Sequence, residues 1–185
     1  VPARTIHAIG DGFVIAEIQQ RSDTTYRLFD HGRPRELHAR QAMAVAETGP
    51  SSLQPAPTRL TDVRLLLVTS RHFVLERIEL PADSNWQLDA DGETWLLLLD
   101  GTARFGELEG RQGQAFFTQA EQTVIGVGGQ PLVLLLAYPG PDPASSLIYN
   151  LDGWKQPTLS VSPARSRPTT LVLGDVLGGT LDMGR

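Results

Sequence analysis

The sequence predicts a mainly β protein, an antiparallel sandwich or barrel of many short strands. Three observations point to this. Between residues 61 and 140, short apolar runs recur at close and regular spacing, at 65–68, 73–80, 95–99, 102–108, 114–118, 123–127 and 132–138. Turn-forming residues separate most of them, namely Pro81-Ala82-Asp83, Asp100-Gly101, Gly110 to Gly113 and Gly128-Gly129. The run 73–80 alternates well enough to give one wet face and one dry one.

Taken in order, residues 1–30 read as two or three strands with a polar insert at 19–24. Phe13-Val14-Ile15-Ala16 reads as a buried strand, and Gly10-Asp11-Gly12 before it is a turn signal. Two antiparallel strands joined there put His7 near one end and Glu17 across from it. Gly32-Arg33-Pro34 breaks the pattern, and Pro34 suits the first turn of a helix. The spacing of Leu37, Ala42, Met43, Val45 and Ala46 predicts a short, moderately amphipathic helix over 36–47, ended by Gly49-Pro50. Pro55 and Pro57 make 51–58 an extended connection and a candidate domain boundary. Asp100-Gly101 is a hairpin signal between 95–99 and 102–108. The tail is rich in Pro, Gly and Ser, with one further candidate strand at 170–173. Four segments result: 1–33, 34–60, 61–140 and 141–185.

Composition narrows the function classes. A net charge of −5 with scattered basic residues excludes a nucleic-acid surface. No apolar stretch approaches the ~18 residues of a membrane-spanning helix. There is no cysteine, so no disulfide or thiolate metal site exists, and any metal takes imidazole and oxygen ligands. A cytoplasmic protein is expected. The chain starts at Val1 rather than Met, and the expectation is that it is part of a longer polypeptide.

The chemistry-bearing residues gather in the first forty positions. Pro2 and His7, five apart, resemble the second signature of the cupin superfamily, Pro-x-Gly-x-x-His, in which a turn between strands delivers a metal-binding histidine into a small β-barrel. The glycine of that pattern is Arg4 here, a departure at a position that often calls for positive φ. The longer series, 5–10, Glu17-Ile18-Gln19-Gln20, Ser22-Asp23-Thr24-Thr25-Tyr26-Arg27, Asp30 and Arg35-Glu36-Leu37-His38, resembles the type I mannose-6-phosphate isomerases of bacteria. These are zinc-dependent cupin enzymes that interconvert mannose 6-phosphate and fructose 6-phosphate. The resemblance covers roughly residues 1–48, and the pattern of 61–140 is similar to the family's second barrel.

The resemblance implies specific roles. His7 matches the family's fourth zinc ligand, Arg27 its active-site arginine, and Glu17 a carboxylate facing the site. Aldose–ketose isomerisation moves a proton between C1 and C2 through an enediol, so it needs a base and a stabiliser of oxyanion charge. A guanidinium suits the second role or the binding of phosphate. Glu17 reads equally as a proton shuttle or as a partner of Arg27. The family's other three zinc ligands, a Gln-x-His pair and a Glu, precede the equivalent of His7, so the chain as it stands is expected to hold an incomplete zinc site and to be inactive alone. It then comprises the last strands of the catalytic cupin (1–33), a linking helix and connector (34–60), a second, metal-free cupin barrel (61–140) and a tail (141–185). Where the first cupin signature would place ligands in the second barrel stand Trp86, Gln87, Leu88 and Asp89, ahead of Glu93. The partner expected is a phosphorylated hexose, with self-association through strand edges that half a barrel leaves open. The alternative reading is a non-catalytic cupin module that binds sugar or mediates association. His31, His38 and His72 read as surface residues, and Trp86 and Trp95 as residues of the core or barrel mouth.

Overall fold

The computed structural model describes residues 1, 3–19, 25–30, 32–49, 56–119 and 121–153. The expectations for Ser22, Asp23, His31 and 170–173 fall outside these residues. One unit contains Val1–Leu53 and the other begins at Gln54.

The second unit is a β structure. Its strands are β1 (Thr58–Arg59), β2 (Arg64–Thr69), β3 (Phe73–Leu80), β4 (Asn85–Asp89), β5 (Glu93–Asp100), β6 (Thr102–Phe105), β7 (Leu108–Arg111), β8 (Ala115–Gln119), β9 (Gln122–Val127), β10 (Leu132–Pro139) and β11 (Ile148–Asn150). They form two antiparallel sheets, ordered β1-β2-β3-β10-β5-β8 and β11-β4-β9-β6-β7. The pairs β3·β10, β4·β9, β5·β8 and β6·β7 are nested within one another and alternate between the sheets. That is the wrapping of a jelly roll, the cupin-like architecture the sequence predicts.

Alternation decides which face goes inward. Along β6, Ala103 and Phe105 are buried while Thr102 and Arg104 are exposed. Leu80, Leu88, Leu98, Ile125, Leu134 and Leu136 fill the space between the sheets. Fully burying a side chain of this kind is worth about 1.5–3 kcal/mol over leaving it exposed. Gly110 lies within β7 rather than starting a turn, because a Cβ there would stand 2.9 Å from the rings of both Phe105 and Phe116.

One ion pair, Arg64 with Glu76, is buried in this unit. Glu76, with no exposed surface, accepts two hydrogen bonds from Arg64, at 2.8 Å from Nε and 2.7 Å from Nη2, and one from the Tyr138 hydroxyl at 2.5 Å. Arg64 Nη2 also donates to the Ala144 carbonyl, and the Ala144 N–H donates to the Tyr138 oxygen. A buried carboxylate survives only when paired and hydrogen-bonded in this way. Burial works against the Arg64 charge, yet the hydrogen bonds and charge of Glu76 outweigh it and hold the guanidinium pKa above its ordinary value. Burial first, and the bond to Glu76 second, push the Tyr138 phenol up as well.

The expectations for 100–101 and for 1–30 need correcting. Asp100-Gly101 is not a hairpin: β5 pairs with β10 and β8, while β6 belongs to the other sheet. Both edges of β5 are taken, so the chain crosses between sheets at Gly101, whose φ of 82° and Cβ position 2.5 Å from the Pro131 carbonyl demand glycine. The second correction concerns 1–30, where none of the described residues forms a strand. Val14, in the run expected to be buried, is 87% exposed. An apolar run becomes a strand only where a neighbour takes its N–H and C=O groups, and among the described residues none does so here.

Among the described residues of the first unit, the one regular element is α1 (Ala39–Val45), shorter than the 36–47 expected. His38 precedes it, donating its N–H to the Arg27 carbonyl while its own carbonyl accepts the first helical bond, from Ala42.

The buried cluster predicts an asymmetry. Arg64→Met leaves Glu76 charged and unpaired and should cost about 3–5 kcal/mol, whereas Arg64→Met with Glu76→Leu should cost far less, as read by urea unfolding. Because the folded-state pKa of Tyr138 is raised, its contribution is complete below the ordinary phenol value of about 10 and is lost as pH climbs past it. Alkaline unfolding curves should show this loss in the parent chain and not in Tyr138→Phe.

Candidate functional site

The first unit is held by two backbone clips. At one, Arg4 takes the left-handed conformation, φ 69°, which the signature reserves for glycine. Its side chain earns that place locally: Arg4 Nε donates to the Val45 carbonyl at 2.8 Å, and the Glu47 N–H donates to the Arg4 carbonyl at 3.0 Å. The departure from glycine therefore does not abolish the turn before His7. The ion pair of Arg4 with Glu47, at 3.4 Å between exposed side chains, adds little.

The second clip joins Arg27 to His38. The Arg27 N–H donates to His38 Nδ1 at 3.2 Å, and the His38 N–H donates to the Arg27 carbonyl at 2.7 Å. An accepting Nδ1 places the neutral ring's proton on Nε2, which lies 3.8 Å from the Glu36 carboxylate. The ring of Tyr26 stands 6.0 Å from the imidazole at 53°. His38, read from sequence as a surface residue, is a largely covered structural one.

This clip fixes the base of the Arg27 side chain, and its far end is held too. Nη1 donates to the Glu36 carbonyl at 3.2 Å, and Nε lies 4.0 Å from Asp30 Oδ1. Asp30 is buried and accepts both arms of the Arg35 fork, at 2.6 Å for Nε to Oδ2 and a close contact of Nη2 with Oδ1. The hydrogen bond from Arg35 holds its carboxyl below the usual range against the opposing effect of burial, and the charges of Arg35, Arg27 and Arg33 add to this. Three arginines thus surround one carboxylate. The balance is cationic, which suits an oxyanion or a phosphate.

His7 is exposed, and its Nδ1 lies 3.1 Å from the Thr5 carbonyl. A carbonyl only accepts, so in the neutral ring this contact puts the proton on Nδ1 and leaves the lone pair on Nε2. This is the usual preparation of a metal-binding imidazole. Glu17 is exposed and accepts from the Gln19 amide. Among the described residues, no hydrogen bond or ion pair joins His7, Glu17 and Arg27 to one another, and no group of three His, Cys, Asp or Glu side chains could hold a metal ion. Zinc needs about four ligands; one imidazole does not make that site.

Sequence reasoning passed over the roles of Asp30, Arg35 and His38. All three stand in the series that carries the resemblance, but nothing in their spacing announces that His38 and Asp30 grip Arg27 and that Arg35 grips Asp30. In the β unit, the places compared with the first cupin signature are filled by Trp86 and Leu88, both buried, with Trp86 Nε1 donating to Ser84 Oγ at 2.8 Å. Trp95 is on the opposite face and 51% exposed.

No family model matches the chain. Among curated proteins, it is 41% identical over 80 residues to the mannose-6-phosphate isomerase of Streptococcus mutans, a match covering 40% of this chain and 25% of that protein. It is 49% identical over 53 residues to the mannose-6-phosphate isomerase ManA of Bacillus subtilis, covering 25% and 17%. The chain is similar to mannose-6-phosphate isomerases. The matches span a quarter or less of the length of these curated relatives. Solved structures of similar shape include an ectoine synthase from P. lautus (11% identity, TM-score 0.41, covering 54% of this chain and 88% of that one). Another is an RmlC-like cupin protein from Desulfovibrio desulfuricans (17%, 0.38, 50% and 98%).

The Arg4 turn predicts that Arg4→Gly is the better tolerated of two truncations. Both lose the side-chain bond to Val45, but only Arg4→Ala keeps a Cβ at positive φ, at a cost of about 1 kcal/mol. Hydrogen exchange at the Glu47 amide should therefore be about fivefold faster in Arg4→Ala than in Arg4→Gly.

Proposed function

We propose that this chain is part of a mannose-6-phosphate isomerase-like protein of the cytoplasm, one that interconverts mannose 6-phosphate and fructose 6-phosphate through an enediol. The observation that carries the reading is the immobilised Arg27, whose backbone is bonded on both sides to His38 and whose guanidinium is held by the Glu36 carbonyl and the Asp30 charge. A cation fixed before the substrate arrives can stabilise developing oxyanion charge without reorganising. The names of the relatives supply the substrate class.

In this reading Arg27 steadies the enediolate oxygen or takes the phosphate, and Glu17 moves the proton between C1 and C2. His7, with its Nε2 lone pair presented, is one ligand of a zinc site whose other ligands come from polypeptide beyond this chain. The 185-residue chain alone is then without isomerase activity.

A second reading, a non-catalytic module for sugar binding or association, is favoured by the β unit itself. Its interior is filled mainly by apolar side chains such as Trp86, Leu88 and Phe105, and its buried carboxylate, Glu76, is taken by Arg64 and Tyr138.

The test uses the longer reading frame that contains this chain. Arg27→Ala should lower turnover of fructose 6-phosphate about 10²-fold while zinc content, measured by mass spectrometry, stays unchanged. Zinc lost in proportion, with unchanged turnover per metal, would make Arg27 structural. Isomerase activity in the 185-residue chain alone would refute the incomplete-site reading. Chemical-shift changes on titrating that chain with mannose 6-phosphate, without turnover, would favour the binding module.

A further inference from the structure

The β unit ends in four sheet edges, and three of them are blunted in the ways natural sheets use against unwanted pairing. β1 is two residues long, follows Pro57 and carries Arg59; β11 has three residues; β7 carries Glu109 and Arg111. The fourth edge, β8, differs. Its five residues, Ala115-Phe116-Phe117-Thr118-Gln119, include no charge and no proline, and its outer side has no strand partner among the described residues.

The groups that β8 offers can be worked out. Leu98 exchanges both of its backbone bonds with the turn leading into β8, donating to the Gln114 carbonyl and accepting from the Gly113 N–H. By the alternation of an antiparallel ladder, Leu96 and Thr94 also face β8, bonding Phe116 and Thr118. Ala115, Phe117 and Gln119 therefore direct their N–H and C=O groups outward. On the outer face of the same sheet, Phe117 is 47% exposed and packs against the half-exposed Trp95, with centroids 4.7 Å apart.

We propose that β8 pairs antiparallel with β8 of a second copy of this chain, with Phe117 on the two-fold axis. The segment is self-complementary about that residue: Phe117 meets Phe117, and Ala115 meets Gln119 in both directions. The three outward-facing residues are those whose backbone bonds the pairing needs. A chain of net charge −5 repels its own copy, and an uncharged edge is where that repulsion is least. The two Trp95–Phe117 pairs join into one aromatic strip across the extended sheet. The interface is small, below about 1,200 Å² in total, which places it in the weak, reversible class. This inference stands independently of any catalytic role for the first unit.

The absence of cysteine from the chain gives a direct test. Residues facing each other in a hydrogen-bonded pair have Cα atoms about 5.5 Å apart, inside the range a disulfide spans. Phe117→Cys should form a covalent dimer under mild oxidation, whereas Val124→Cys, an exposed position on the other sheet, should not. Sedimentation of the unmodified chain from about 1 to 200 µM should show a monomer–dimer equilibrium. Phe117→Lys places like charges opposite each other and should weaken it at least about tenfold, with far-UV circular dichroism unchanged. If Phe117→Lys does not fold, the cysteine pair still decides. The proposal is overturned by a chain that stays monomeric throughout, by equal crosslinking of the two cysteine variants, or by a dimer indifferent to Phe117→Lys in a folded protein.

Discussion

Glu76 is a carboxylate placed in the middle of β3 with no exposed surface, and the β unit depends on how that charge is met. The answer comes from three places far apart in sequence. Arg64 opens β2, Tyr138 is the last residue but one of β10, and Ala144 belongs to the connection that follows. Each donor reaches the carboxylate only if β2, β3 and β10 lie side by side in the observed order. A register slip of one residue would turn Glu76 to the opposite face and leave two buried charges apart. The cluster thus acts as a lock on topology as much as a source of stability, since an apolar core of equal volume could serve stability alone.

The first unit is organised on a different principle. Among its described residues, the apolar ones form no ladder and the helix α1 is seven residues long, too short to stand on propensity. Order comes instead from polar clips, Arg4 to Val45 and Glu47, Arg27 to His38, and Arg35 to Asp30. In the proposed isomerase reading, the consequence lies with Arg27. Because the Arg35 fork occupies both oxygens of Asp30, the carboxylate restrains Arg27 by charge without neutralising it. An arginine so placed is a fixed cation, which is what an enediolate or a phosphate ester calls for.

Much of the jelly roll was legible in the sequence because period-two alternation and turn residues are local signals. The strands 73–80, 123–127 and 132–138 could be read from their own residues. What was misread needed a distant neighbour. Asp100-Gly101 carries hairpin chemistry, but whether the strands on its two sides pair depends on β8 and β10 having taken both edges of β5. The run 102–108 is a local exception: it is two strands, β6 and β7, because Phe105 pairs with Leu108 across a tight turn at Gly106-Glu107, where Gly106 takes φ 57°. The run 13–16 looked buried because apolar composition records a tendency to be covered and not the presence of a cover.

For the site, the residue types and their series identified His7, Glu17 and Arg27, and the resemblance to mannose-6-phosphate isomerases attached a chemistry to them. Only the tertiary structure disclosed that His38 and Asp30 hold Arg27, that the His7 tautomer leaves Nε2 available, and that an arginine can occupy the turn a glycine was expected to fill. The sequence by itself determined the strand-forming segments, the absence of thiolate chemistry and the candidate polar residues, all of which follow from side-chain type and spacing along the chain. The tertiary structure decided sheet order, the burial of Glu76 and the grip on Arg27, because each depends on groups that meet only when distant segments have already been brought together.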